Sequence, residues 1–130
     1  MAEAYDLGRA GEEAAARYLT LHDYRLLERN WRFGHAEIDL IAEAFGLLIV
    51  VEVKTRATVA LGDGLERVDA DKQRHLIRAA DAYVRQRGID LPVRFDVITV
   101  VGRTAPFRIT HYRAAFTAPP PPPARRRERS

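Results

Sequence analysis

Apolar and polar positions divide the chain into seven segments. Residues 4–21 are alanine-rich with strong helix propensity, interrupted by Gly8 and Gly11 near the start. Residues 24–33 alternate poorly, end in aromatics, and are taken as a first strand. After the turn signal Gly34-His35, Ala36 to Glu43 alternates and predicts a second strand, closed by a tight turn at Phe45-Gly46. Leu47 to Thr55 is a β-branched, nearly continuous apolar run, the pattern of a strand covered on both faces. Residues 56–68, with Gly62, Asp63 and Gly64, read as a loop. Leu76, Ala79, Ala80, Tyr83 and Val84 form a stripe at helical spacing; Asp69 or Asp71 is placed to cap that helix and Gly88 to end it. Strands are expected again at Val93 to Val101 and at Phe107 to Tyr112.

The order is α-β-β-β-α-β-β. Three strands in a meander followed by a helical crossover predict an α/β domain, a mixed sheet flanked by helices, over residues 1–113. Residues 114–130 carry five successive prolines and then arginines with nothing to pack against, so a disordered tail is expected there.

Composition adjusts this picture in three ways. With no cysteine, disulfides and thiolate metal sites are excluded. Glu3, Asp6, Glu12 and Glu13 break up the N-terminus, which therefore does not read as a signal peptide. The longest apolar run, Leu47 to Val51, is far short of the ~20 residues that span a bilayer, so a cytoplasmic protein with no membrane partner is expected. The net charge of +3 and pI of about 9.6 suggest nucleic-acid binding. However, the excess sits entirely in Arg125-Arg126-Arg127-Glu128-Arg129, and residues 1–124 are balanced. Any grip on phosphates must come from patterned cations, not from bulk charge.

The chemistry lies in the second and third strands. Residues of equal parity share a face of a strand. A two-residue Phe45-Gly46 loop pairs Ala44 with Leu47, which sets Asp39 opposite Glu52 and Glu37 opposite Lys54. Opposed Cβ atoms lie roughly 4.5–5.5 Å apart, and two carboxylates at that distance repel unless a cation lies between them. Mg²⁺ (or Mn²⁺) takes one or two carboxylates plus waters and phosphate oxygens, and Asp39 and Glu52 supply the pair. The Val53 carbonyl offers another oxygen. Lys54 is placed to stabilise charge on a phosphate or to hold an attacking water. Of 21 basic residues only Lys54 and Lys72 are lysine, which singles out the Glu-x-Lys position. A salt-bridged strand end is the plainer explanation, but a carboxylate within so apolar a strand argues against it.

Glu12 and Glu13 separate by their neighbours. Glu13 has Arg9 and Arg17 at helical spacing, whereas Glu12 points along a small-residue face and is a candidate third ligand. Lys72, Gln73 and Arg56 are candidate phosphate contacts. Asp96 is expected to be structural, as a partner of an arginine or a helix end. The four histidines, at positions 22, 35, 75 and 111, show no zinc spacing and are expected at the surface.

Taken in order, Gly8-Arg9-x-Gly11-Glu12, Asn30-x-Arg32, Glu37-Ile38-Asp39-Leu40-Ile41, Val51-Glu52-Val53-Lys54-x-Arg56, Lys72-Gln73 and Arg94-Phe95-Asp96-Val97 resemble the YraN family of bacterial predicted endonucleases over about residues 4–113. Two positions depart from that pattern: Ile38, where many nucleases have proline, and Ala36, where glycine is expected. The family is similar in fold to Holliday-junction resolvases and restriction enzymes, the PD-(D/E)xK nucleases. The resemblance implies a restriction-endonuclease-like fold and a metal site at Asp39, Glu52 and Lys54 with Glu12 nearby. It further implies Arg32 among the nucleic-acid contacts and a homodimer. The expected function is a Mg²⁺-dependent endonuclease acting on DNA, branched or single-stranded. A nucleic-acid- or protein-binding module without turnover, and an RNA-directed nuclease, are the other readings.

Overall fold

The computed structural model describes residues 3–58 and 68–119. Helix α1 spans Glu3–Leu21, followed by strands β1 (Arg25–Phe33), β2 (Ala36–Ala44) and β3 (Leu47–Arg56). Helix α2 (Ala70–Arg87) leads to β4 (Val93–Val101) and β5 (Arg108–Phe116). The last strand thus continues past residue 113, the end expected for the domain. Most of the 56–68 loop, and the tail from residue 120 onward, lie outside the described residues.

The five strands form one mixed sheet in sequence order, antiparallel except for the parallel pair β3–β4 that α2 connects. This is the α/β, restriction-endonuclease-like arrangement that the element order predicts. Phe45 and Gly46 both have positive φ, 57° and 74°, as a two-residue type I′ turn requires, and Ala44 pairs with Leu47. A register shift between Leu26 and Glu28 accounts for the poor alternation of β1.

Each helix covers one face. Ala15, Ala16 and Leu19 of α1 pack on Leu40, Ala42, Ile49, Val51, Ile98 and Val100. Leu76, Ala79, Ala80 and Tyr83 of α2 pack on Ile38, Ile41, Leu48, Val50, Phe95 and Val97. β3 is therefore buried on both sides, as its continuous apolar run implies. Burying a large aliphatic side chain contributes about 1.5–3 kcal/mol, and this double layer fixes where β3 sits. Asp69, not Asp71, caps α2, accepting from the Lys72 N–H at 2.8 Å, and Gly88 ends it in the left-handed conformation. No described helix is long and apolar enough to cross a membrane.

Candidate active site

Asp39 and Glu52 stand where the sheet opens. The β2–β3 ladder runs from Ala44/Leu47 to Leu40/Val51 and stops one pair before Asp39 and Glu52. There the Asp39 carboxylate takes over from the backbone: its Oδ2 accepts the Val53 N–H at 2.8 Å. On its other side, Arg29/Leu40 and Trp31/Ile38 pair while Asn30, opposite Asp39, does not. Asn30 has φ 51°, a conformation that asparagine tolerates better than most residues.

This irregularity corrects one expectation. Ile38 and Ile41, three apart, both face α2, so the alternation of β2 slips between them. Glu37 consequently lies on the α1 side and pairs with Arg32 at 3.1 Å; it does not face Lys54.

Glu52 shares the α2 side with Leu48 and Val50 and is 6% exposed. One carboxylate oxygen, Oε2, lies 3.5 Å from the Lys72 ammonium in the first turn of α2. The other, Oε1, is buried with no hydrogen-bond partner. An unsatisfied buried acceptor costs roughly 1–3 kcal/mol, more when charged, and a donor or a cation at this oxygen would offset that cost. Lys54 has the parity of Glu52 and is half-buried. Both lysines of the chain thus flank Glu52.

Electrostatics point the same way. Burial, then the charge of Glu52, push the Asp39 carboxyl up to about 7, against the pull of the Val53 N–H; Glu12 adds to the rise. Glu12 is held close by the Asn30 side-chain amide, which donates to its Oε1 at 3.0 Å. α1 comes near enough to do this because residue 11 is glycine. A Cβ there would meet Thr55 Oγ1 at 2.1 Å and Thr55 Cβ at 2.9 Å.

Among the described residues, no three histidine, aspartate or glutamate side chains are grouped to hold an ion by themselves. What is assembled is a pair, half-buried Asp39 and buried Glu52, with the Glu12 carboxylate nearby. That donor set fits a hard divalent ion that takes one or two carboxylates and completes its shell with water and phosphate. Removing the repulsion between the pair is the electrostatic gain such an ion supplies.

The remaining candidates divide. Lys72 is at the site. Gln73 is not directed there, since its amide donates to the Val68 carbonyl at 2.8 Å and fastens the approach to α2. Arg32 is exposed and engaged with Glu37. Arg56 is exposed at the end of β3, its carbonyl accepting from Gly102 N–H at 2.9 Å. A cavity of about 560 Å³ opens beside Glu12, where arginines 9, 29 and 32 meet glutamates 12, 13 and 37. Glu13 bonds Arg29 at 2.7 Å, across to the sheet, where helical spacing predicts Arg9 or Arg17.

Asp96 is structural, and its partners include one that the sequence reading misplaces. It is fully buried and accepts two bonds from Arg94, at 2.9 and 2.8 Å, and one from Ala114 N–H at 3.0 Å. His111 Nε2 lies 2.7 Å from it, and Tyr18 Oη 3.1 Å from His111 Nδ1. His111, with a side chain 4% exposed, is thus a core residue and not a surface histidine. Burial works to raise the Asp96 pKa, but the bonds from His111, Arg94 and Ala114 outweigh it and hold the carboxyl below its usual range. Only the apolar context of Asp96 hinted that it needed such partners.

The family model described as "Uncharacterised protein family UPF0102" matches residues 11–100. A UPF0102 protein of Bacteroides thetaiotaomicron is 49% identical over 119 residues, 92% of this chain and 98% of its own length. One from Bacteroides fragilis is 50% identical over the same shares, and one from Flavobacterium psychrophilum 40% identical over 89% of this chain and 98% of its own. The motif series that resembles YraN points to this same family.

Proposed function

The chain belongs to the uncharacterised protein family UPF0102, and we propose that it is a metal-dependent endonuclease hydrolysing phosphodiester bonds in DNA. One observation carries this reading: a half-buried Asp39 beside a buried Glu52, set where two strands part, with a Glu52 oxygen lacking any partner. A protein that only binds nucleic acid gains nothing from buried carboxylates that repel phosphate.

In this reading Asp39 and Glu52 would hold Mg²⁺ or Mn²⁺, with Glu12, which the Asn30 amide holds in place, as a further ligand. When bound, the ion acidifies a water and neutralises charge on the scissile phosphate. Lys54 stabilises charge that develops on the phosphate or orients the water. Lys72 pairs with Glu52 from the first turn of α2, and its ammonium would be available to a phosphate oxygen were Glu52 to hold a cation. Arg56 and Arg32 are phosphate contacts at the rim, and Gln73 steadies the start of α2, which carries Lys72. A homodimer, presenting two such sites to paired strands, belongs to this reading; light scattering tests it.

The test is cleavage of end-labelled single-stranded, duplex, flap and four-way-junction DNA with Mg²⁺ or Mn²⁺. We expect cutting of at least one substrate, lost in Glu52→Gln and Lys54→Met. No cutting of any of them at millimolar metal contradicts the proposal.

A further inference from the structure

The α2 side of the sheet carries a second chemistry. Trp31 packs edge-on against Tyr83, with centroids 5.1 Å apart, and Arg87 lies over the Tyr83 ring at 4.9 Å. Phe33 continues this row parallel to Trp31, at 6.4 Å and 2°, and is 37% exposed. It borders a cavity of about 190 Å³ whose other walls are Gly34, His35, Ala36, His75 and Arg78. Gly34 has φ 61° and no side chain to fill the space.

The charge here is unspent. Three arginines of α2, residues 74, 85 and 87, pair with Asp71, Asp81 and Glu28. Arg78 pairs with no carboxylate among the described residues. The cavity also lies on the same two elements, β2 and α2, that carry Asp39 and Lys72. Ala36 lies three strand residues from Asp39, about 10 Å. Lys72, His75 and Arg78 are spaced i, i+3, i+6 and form one row along α2 from Glu52 to the cavity.

We infer that this cavity is a subsite for one unpaired nucleotide of a DNA strand, its base on Phe33 and its phosphate on Arg78 and His75. A base inside a duplex is stacked on both faces and unavailable to Phe33, whereas an unpaired base offers a free π-face to any aromatic ring. An apolar peptide side chain would use Phe33 but leave Arg78 idle. The inference rests on the polynucleotide substrate proposed above, and it places the strand: the nucleotide in the subsite neighbours the phosphodiester at Asp39 and Glu52.

Trp31 is the only tryptophan of the chain, so its fluorescence reports on this cavity. The experiment titrates the protein with oligothymidylate of twelve residues in EDTA, beside the blunt duplex of the same length. We expect saturable quenching, tighter for the single strand. Loss of one stacked base should weaken it about 5- to 150-fold in Phe33→Ala, while Phe33→Tyr keeps it. Arg78→Ala should lower the salt dependence by about one phosphate contact. Circular dichroism confirms that each variant is folded.

The subsite is overturned if Phe33→Ala and Arg78→Ala titrate like wild type, if the duplex binds as tightly as the single strand, or if wild type shows no saturable quenching. Because no metal is present, quenching that depends on Phe33 supports the subsite even in a protein that never cuts. Metal-dependent cleavage unaltered in both variants overturns the subsite and leaves the nuclease reading standing.

Discussion

The Val53 amide donates to the Asp39 carboxylate at 2.8 Å, at the point where the β2–β3 ladder ends. One side chain thus takes the place of a backbone acceptor between the strands while its charge faces Glu52. Asp39 serves the fold through one oxygen and is destabilised through the charge it carries there.

Asp39→Asn separates these roles. The amide oxygen still accepts the Val53 N–H, but repulsion with Glu52 disappears. We expect the metal-free protein to gain on the order of 1 kcal/mol, a rise in Tm of about 4–8 °C, while losing divalent-ion binding. Scanning calorimetry in EDTA checks the first part; a fall in Tm contradicts it.

The same carboxyl sets a pH dependence. Its pKa is raised to about 7 in the folded protein, against about 3.9 unfolded. A carboxyl raised on folding binds more protons folded than unfolded. Its contribution is therefore fully present below about pH 4 and is lost as pH rises through about 7. Urea midpoints in EDTA should fall between about pH 4 and 7 more steeply for wild type than for Asp39→Asn. Millimolar Mn²⁺ should abolish the difference, since an ion between the carboxylates replaces the proton. Parallel profiles contradict the coupling of Asp39 to Glu52.

Asp96 behaves oppositely. Removing one partner from a buried, hydrogen-bonded charge network costs about 3–5 kcal/mol, so Asp96→Ala should be among the most destabilising single changes. Its folded pKa is lowered, so its contribution is present above the unfolded value and is lost as the solution is acidified below the usual carboxylate range. Tyr18→Phe, which removes only the outermost bond, should cost about 1 kcal/mol. Denaturant unfolding at pH 7 ranks the three proteins; equal stability of Asp96→Ala and wild type contradicts this account.

Gly11→Ala tests how closely α1 approaches β3. Its Cβ meets the Cβ and Oγ1 of Thr55, so the helix must shift, at about 1–3 kcal/mol. Because Glu12 is the next residue, the shift should also weaken metal binding. Thr55→Ala should recover part of both losses in a double-mutant cycle. Additive effects would mean that the two residues are not in contact.

The sequence carried the fold further than it carried the site. Phe45-Gly46 and the apolar run of β3 were enough to set the Ala44/Leu47 pair, and with it Asp39 and Glu52. Strict alternation then misplaces Glu37, because the slip in β2 depends on Asn30 adopting a positive φ on another strand. Nothing local marks that choice beyond the tolerance of asparagine for it. His111 is hidden for a similar reason. Its partner Asp96 is 15 residues away, across a register shift beside Ala114, which itself has φ 50°. By contrast, the scarcity of lysine singles out Lys54 and Lys72, and the structure brings the second of these to Glu52.

The most direct test of the central claim is Mn²⁺ binding followed by the paramagnetic resonance of the free ion. Wild-type protein should deplete the free-ion signal with at least one ion per chain, and Glu52→Gln and Asp39→Asn, both folded, should not. Equal depletion by all three proteins, or none by wild type at millimolar Mn²⁺, would contradict a metal site at Asp39 and Glu52.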